Sequence, residues 1–125
     1  MPLKLIRLEL ARTPSAPDGD PSHRYEFVAP LDKDGHLDQA EWRRDAKACT
    51  VHRLVPGQDP ETGQLVHTRH GWAFSYEEGD ADDEPIFKFD RHRFVTGEYV
   101  TITEHDGVAR PFKVADIRPA APSKA

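Results

Sequence analysis

Residues 31–41, with the sequence LDKDGHLDQAE, contain side chains that could bind a divalent cation. If Gly35 is the glycine of an EF-hand-type loop, two aspartates fall at ligand positions and a glutamate falls at the closing bidentate position. The match is incomplete, because Pro30 occupies the first ligand position and the preceding segment is predicted to be a strand. A turn followed by a capped helix explains the same residues more simply. The candidate ligands for weak divalent-metal binding are Asp32, Asp34 and Glu41.

Aromatic and basic side chains further along the chain could instead bind single-stranded nucleic acid. Three aromatic residues lie at alternate positions between 72 and 76, so a strand would place their rings on one face. Small barrels hold single strands on such a face, with bases stacked on rings and phosphates on cations. Packing in the core is the stronger interpretation, because a chain with 37% hydrophobic residues has few other large side chains to bury. The candidate contact residues for a nucleic acid or a protein partner are Trp72, Phe74, Tyr76, Lys88, Arg91 and Arg93.

The seven histidines and the single cysteine do not predict a metal or catalytic centre. Zinc needs three or four ligands that converge, whereas a strand would point His67 and His70 to opposite faces. Cys49 and His52 have a spacing that suggests a nucleophile and its base, but at a helix-to-strand junction their side chains diverge. Cys49 is better explained as a small buried hydrophobic residue. We therefore predict a protein that is not an enzyme and has no cofactor.

The strongest structural signal is a hairpin around Asp106-Gly107, which two alternating β-branched runs flank. A two-residue loop would pair apolar residues with polar ones across the strands. We therefore predict a longer loop or a bulge in which Gly107 has a positive φ. The predicted cross-strand pairs are Val100 with Val114, Ile102 with Phe112, and Glu104 with Arg110.

The rest of the chain repeats short strands and turn residues. A tight turn at residues 70–71 would set His67 opposite Phe74 in a second hairpin. Residues 38–48 are the one predicted helix, because Asp38 can cap its N-terminus. These elements predict a mostly β fold of the α+β class: a small antiparallel barrel-like or strongly curved sheet with one amphipathic helix. Besides the two strands of the hairpin around Asp106-Gly107, the predicted strands are residues 3–11, 23–29, 50–55, 65–69, 72–76 and 86–89.

The length of 125 residues predicts a single domain with a small core. We expect one β-rich domain over residues 1–118 and a disordered C-terminal tail over residues 119–125. The predicted core residues are Leu5, Leu10, Phe27, Trp42, Val51, Trp72, Phe74, Phe87, Val100, Ile102, Phe112 and Val114.

Composition and charge limit the classes of function. The net charge of −5 disfavours a dedicated non-specific nucleic-acid binder, whose affinity comes mostly from phosphate neutralisation. The acidic run at residues 77–84, EEGDADDE, is predicted to be a solvated loop, with weak divalent-ion binding or contact to a basic protein partner as the functional alternatives. The segment MPLKLIRLELAR lacks an apolar signal core, and no stretch approaches the length of a membrane span. We expect a cytoplasmic bacterial protein without membrane contact.

The runs FVAPLDKDGHLDQAEWR, residues 27–43, and HRFVTGEYVTI, residues 92–102, resemble a family of small uncharacterised proteins of α-proteobacterial type. The resemblance covers most of the chain and implies no activity or functional residue. By elimination, the first functional hypothesis is a non-enzymatic binding or accessory module that recognises a protein partner through a strand edge or its charged loops. Single-stranded nucleic-acid binding is the second hypothesis, and weak divalent-metal binding is the third.

Overall fold

The computed structural model shows a curled antiparallel sheet with one short α-helix in the part of the chain that it describes, residues 3–14, 16–68, 71–76, 84–86, 93–104 and 106–120. The helix α1 spans Gln39–Arg44 and is followed by a 3₁₀ turn at Ala46–Ala48. The strands are β1 (Leu3–Leu10), β2 (Asp20–Pro30), β3 (Thr50–Leu54), β4 (Glu61–Thr68), β5 (Gly71–Ser75), β6 (Glu84–Pro85), β7 (Tyr99–Thr103) and β8 (Ala109–Pro119).

The strands form one sheet in the order β6-β5-β4-β3-β2-β1-β8-β7, and each neighbouring pair is antiparallel. The sheet curls so far that an isolated bridge between Ile86 and Ile102 joins its two ends. Ile86 directly follows β6, and Ile102 lies in β7. We call this junction the seam. The predicted mostly β, barrel-like antiparallel fold with a single helix is confirmed.

Period-two burial builds the core inside the curled sheet. In β2, for example, Tyr25, Phe27 and Ala29 are buried while the residues between them are only half-buried. Of the predicted core, Leu5 and Trp42 are half-buried rather than buried, and Phe87 lies outside the described residues. The predicted core residues that the structure buries are Leu10, Phe27, Val51, Trp72, Phe74, Val100, Ile102, Phe112 and Val114.

The predicted register of the β7–β8 hairpin is wrong by two residues. Val100 pairs with Phe112, and Ile102 pairs with Arg110. A shift of two keeps every side chain on its predicted face, so burial does not distinguish the two registers. The geometry of the loop determines the register. The Glu104 carbonyl accepts the Gly107 N–H at 2.8 Å, and Gly107 has a φ of 80°, which is positive as predicted.

The β4–β5 hairpin departs from its predicted register in the same way. His67 pairs with Trp72, and Leu65 pairs with Phe74, so the predicted pair of His67 with Phe74 is wrong. Thr68 and Gly71 are themselves paired, so Gly71 belongs to β5 rather than to the predicted turn at residues 70–71. The shift again preserves which side chains point inward.

The helix begins where the sequence predicts but ends early. The Asp38 carboxylate caps it by accepting the Glu41 N–H at 3.1 Å. α1 ends at Arg44 instead of residue 48, and the half-buried Trp42 attaches it to the sheet through an edge-to-face contact with Trp72 at 4.9 Å. Neither helical segment in the described part of the chain has the length and hydrophobicity needed to cross a bilayer.

The C-terminal strand extends slightly beyond the predicted domain boundary at residue 118. Pro119 pairs with Lys4, and the Ala120 N–H donates to the Leu3 carbonyl at 2.9 Å. Pro119, the first residue of the predicted tail, therefore belongs to β8, and Ala120 is hydrogen-bonded to β1, while residues 121–125 lie outside the described residues.

Candidate functional site

The aromatic face predicted for nucleic-acid contact belongs to the core. Trp72 is 4% exposed and Phe74 is fully buried, with its ring 5.2 Å from those of both Tyr25 and Phe27. Tyr76 is half-buried, and its hydroxyl donates to a carboxylate inside the sheet. These rings do not present faces on which bases could stack, so the core interpretation is correct and the stacking platform is not formed.

Of the basic residues assigned to the same surface, the structure describes Arg93, which contacts the loop before α1. Nε of Arg93 donates to the Asp34 carbonyl at 3.1 Å, and the neighbouring Phe94 N–H donates to the Gly35 carbonyl at 2.7 Å. Arg93 thus joins its segment to the loop before α1. Lys88 and Arg91 lie outside the described residues.

The loop before α1 brings together part of the predicted metal site. Carboxylate or imidazole atoms of Asp32, Asp34 and His36 lie within 4.8 Å of one another. Oδ1 of Asp32 already accepts the backbone N–H groups of Asp34 at 2.9 Å and of His36 at 3.0 Å. The hydrogen bond from His36 is the main reason that the pKa of Asp32 is lowered. Glu41 is not in this group, and its carboxylate lies 3.5 Å from Arg44. The turn-and-cap interpretation explains each of these contacts.

A different group of charged residues lies inside the sheet, at the end of the barrel near the seam. We call it the interior cluster. It consists of two carboxylates, a guanidinium and a phenol that are each at most 6% exposed: Tyr25, Arg53, Glu84 and Glu104. Its members come from β2, β3, β6 and the residue after β7. Strands from opposite ends of the sheet therefore meet at one polar site.

The hydroxyl of Tyr25 is the centre of the interior cluster. Its oxygen lies 2.8 Å from Oε1 of Glu84 and 2.8 Å from Oε2 of Glu104. Glu84 belongs to one end of the sheet and Glu104 to the other, so this hydroxyl links both sides of the seam. The Tyr76 hydroxyl adds a second contact of 2.8 Å to Oε1 of Glu84.

Arg53 extends the contacts of the interior cluster with all three of its nitrogens. Nε lies 3.2 Å from Oε2 of Glu84 and 3.3 Å from the Tyr25 hydroxyl. Nη2 lies 3.3 Å from Oε2 of Glu104, and Nη1 donates at 3.1 Å to the carboxylate of Glu61. Such a fork of donors suits a guanidinium better than an ammonium group.

Glu104 has three basic partners. Nε2 of His23 lies 2.8 Å from its Oε2, and Nη1 of Arg110 donates to its Oε1 at 2.9 Å. Arg53 is the third. The sequence correctly associates Glu104 with Arg110, although the two residues are diagonal neighbours rather than direct partners.

Burial and charge shift the pKa values in opposite directions within the interior cluster. Burial, together with the carboxylates of Glu84 and Glu104, raises the pKa of Tyr25 far above its ordinary range. Burial would raise the pKa of Glu104 as well, but hydrogen bonds from His23 and Tyr25 and the charge of Arg53 lower it below its ordinary value. Tyr25 is therefore held as a neutral phenol and Glu104 as a carboxylate.

Sequence reasoning missed the interior cluster, although part of it left a signal. Arg53 has the inward parity of Val51 in β3, and Glu104 has the inward parity of Val100 and Ile102 along β7. Charged residues that continue a buried alternation indicate a polar site in the interior. Glu84 gave no such signal, because the acidic run predicts that it is solvated. The structure buries it completely, and residues 77–83 of that run lie outside the described residues.

The outer surface has a second polar site with a different character. A cleft of about 180 Å³, which we call the Tyr99 cleft, is lined by residues 9–12 and 18–21 together with Tyr99 and Lys113. Tyr99 is 57% exposed, the largest exposure of any large hydrophobic side chain that the structure describes. Arg12 and Lys113 are exposed and make no ion pair with a residue that the structure describes.

One wall of the Tyr99 cleft depends on a glycine. Gly19 has a φ of 75°, and a Cβ atom there would lie 2.6 Å from the carbonyl oxygen of Leu10. The loop between β1 and β2 therefore packs directly against the end of β1, because no side chain separates the two backbones. The cleft is a feature of the fold rather than a gap between mobile side chains.

The two sites differ in what they can do chemically. Neither the Tyr99 cleft nor a second surface cleft of about 160 Å³ is lined by a residue of the interior cluster. The interior cluster can hold charges and protons, and the Tyr99 cleft can receive a side chain from another molecule. A scan against protein-family models and searches of curated proteins and solved structures found no match to this chain.

Proposed function

We propose that the protein is a non-enzymatic module that binds a short extended segment of a protein partner at the Tyr99 cleft. The observation that carries the proposal is the position of Tyr99, exposed at the rim of a cleft on an edge strand of the sheet. Exposed tyrosines supply large, rigid contact areas in protein interfaces.

The size of the cleft favours a peptide side chain over a small-molecule substrate. Sites for small molecules and cofactors usually enclose about 300–1,000 Å³. The Tyr99 cleft, at about 180 Å³, has room for roughly one side chain. Its mixed charges, from the acidic Glu9 and Asp18 and the basic Arg12 and Lys113, suit the polar contacts that surround an interface anchor.

The edge of β7 supports the extended conformation of the bound segment. β7 pairs with β8 over Tyr99–Thr103. On its other side, the described residues pair with β7 at Ile102 alone. Where no described residue pairs with it, such an edge offers backbone N–H and C=O groups to an added strand. A partner segment beside Tyr99 could therefore use both the backbone edge and the cleft.

The test is affinity capture from the source cell with three forms of the full chain: wild type, Tyr99→Ser and Val108→Ser. Val108 is the matched control, because it is the other exposed large hydrophobic residue among those described and does not line the cleft. We expect a partner that wild type and the Val108 variant retain and that the Tyr99 variant loses. Titration calorimetry with the purified partner should then show affinity reduced about tenfold or more by Tyr99→Ser.

Equal affinity of all three forms for that partner would contradict the proposed site. Loss of binding in both variants would also contradict it, since Val108 does not touch the cleft. Circular dichroism checks that each variant keeps the strand content of the wild type, so that a loss of binding reports the surface rather than the fold.

A further inference from the structure

The hydrogen bonds of Tyr25 require more protons than two ionised glutamates allow. A phenol has one hydroxyl hydrogen, which can be donated to one acceptor. Nevertheless, the Tyr25 oxygen lies 2.8 Å from oxygens of both Glu84 and Glu104. Two oxygens at that distance without a hydrogen between them repel each other. One of the two carboxyl groups must therefore carry a proton and donate it to the Tyr25 oxygen.

The surroundings of Glu104 identify it as the carboxylate. It contacts the guanidinium groups of Arg53 and Arg110, and Nε2 of His23 lies 2.8 Å away. His23 can donate there either as a cation or as its Nε2–H tautomer. Arg53 also lies 3.2 Å from Glu84, whereas the contacts of His23 and Arg110 favour a negative charge on Glu104. Tyr25 then donates its hydrogen to Glu104, and its oxygen is left to accept one from Glu84.

We propose that Glu84 is a neutral carboxylic acid in the folded protein at neutral pH, and that its proton holds the seam closed. The hydrogen bonds then run in one direction, from the Tyr76 hydroxyl to Oε1 of Glu84, from that oxygen to Tyr25, and from Tyr25 to Glu104. This series of hydrogen bonds crosses the seam from Glu84 in β6 to Glu104 after β7. This proposal does not depend on binding at the Tyr99 cleft.

Among the residues that the structure describes, charged and titratable groups from several strands surround Glu84 and Glu104. They are His23 and Tyr25 from β2, Arg53 from β3, Glu61 from β4, Tyr76 after β5, and Arg110 from β8, which also pairs with Asp106. The raised pKa of Tyr25 agrees with its role as a donor that keeps its hydrogen.

Loss of the Glu84 proton would place a second negative charge beside Glu104 and break the bond to Tyr25. A group that keeps its proton to higher pH in the folded than in the unfolded state stabilises the fold less as pH rises. Unfolded glutamate titrates near 4.3. Above that value, the folded state binds one proton more than the unfolded chain, so the equilibrium constant for folding should fall about tenfold per pH unit from this group.

The experiment compares urea unfolding of wild type, Glu84→Gln and Glu98→Gln between about pH 5 and pH 8. Glutamine resembles a neutral acid in shape and in having a donor. We expect the ratio of the folding equilibrium constant of wild type to that of Glu84→Gln to fall as pH rises. The fall should be about tenfold per pH unit as long as Glu84 stays protonated in the folded protein. The exposed Glu98→Gln is the matched control and should give a constant ratio.

A ratio to Glu84→Gln that stays constant or rises with pH would overturn the proposal. Infrared spectroscopy of the wild type provides a second measurement that does not require the variant to fold. We expect the carbonyl stretch of a protonated carboxylic acid in the wild type at neutral pH. Absence of that band from the wild type at neutral pH would refute a neutral Glu84.

Discussion

The interior cluster and the Tyr99 cleft both combine acidic and basic residues, but they use charge in opposite ways. In the interior cluster, Arg53 contacts Glu84, Glu104, Glu61 and Tyr25, and its 6% exposure leaves almost no access to water. At the Tyr99 cleft, exposed cations face solvent on the outer side of the sheet. Charges inside the sheet act on the fold, whereas charges outside remain available to another molecule.

The comparison shows that the side of the sheet matters more than the residue type. A buried charge must be paired, because its desolvation costs several kcal/mol. An exposed pair contributes about 0–1 kcal/mol, so its loss hardly affects folding. Substitutions of charged residues in the interior cluster should therefore affect stability, and substitutions of charged residues at the Tyr99 cleft should affect binding.

The largest effect is expected from Arg53→Met. The change leaves Glu104 and Glu61 without a buried guanidinium partner, so we expect a loss of about 3–5 kcal/mol in the free energy of unfolding. Arg24→Met is the matched control, because Arg24 pairs with Glu26 at 3.0 Å on the half-buried outer face and should contribute about 0–1 kcal/mol. Urea denaturation at neutral pH measures both. Equal losses would mean that burial does not distinguish the two arginines.

The next effect is the response of the interior cluster to acid. The pKa of Glu104 in the folded protein lies below its ordinary value of 4.5, so its ionised form stabilises the fold above that pH. This contribution is lost as pH falls through the lowered folded-state pKa. The difference in unfolding free energy between wild type and Glu104→Gln should therefore shrink on acidification, measured by urea denaturation from about pH 6 to pH 3. A difference that does not change over this range would contradict the lowered pKa.

A smaller effect is expected at the wall of the Tyr99 cleft. Gly19→Ala places a side chain at a positive φ, which costs about 1–2 kcal/mol, and the Cβ must also move away from the Leu10 carbonyl. Gly57→Ala is the control: its φ of 80° imposes the same backbone cost, but nothing lies within 4 Å of its added Cβ. Thermal denaturation should show a greater loss for Gly19→Ala than for Gly57→Ala. Equal losses would show that the loop does not pack tightly against β1.

Much of the fold follows from alternation in the sequence. Residues 23–29 alternate so clearly that Tyr25, Phe27 and Ala29 are identified as one face, and the structure buries all three. The registers of both predicted hairpins are nevertheless displaced by two residues. Side-chain alternation has period two, so a displacement of two leaves the pattern of burial unchanged, and the turn alone determines the register.

The interior cluster was only partly predictable, and the reason is sequence separation. Arg53 and Glu104 continue buried alternations within their own strands, so each could be placed in the interior. Glu84 could not, because its sequence neighbours are acidic and its partner Tyr25 lies 59 residues away. Local patterns describe which face a residue occupies and not which distant side chains share that space.

By itself, the sequence determined the class of fold, the inward faces of the strands, the Asp38 cap and the glycine turn of the β7–β8 hairpin. Each of these depends on the nearest few residues, through side-chain alternation and local hydrogen bonds. The tertiary structure alone decided that Glu84 and Glu104, from opposite ends of the sheet, meet at one tyrosine hydroxyl. Only the curling of the sheet brings these ends together, because pairing between neighbouring strands leaves them separated by the full width of the sheet.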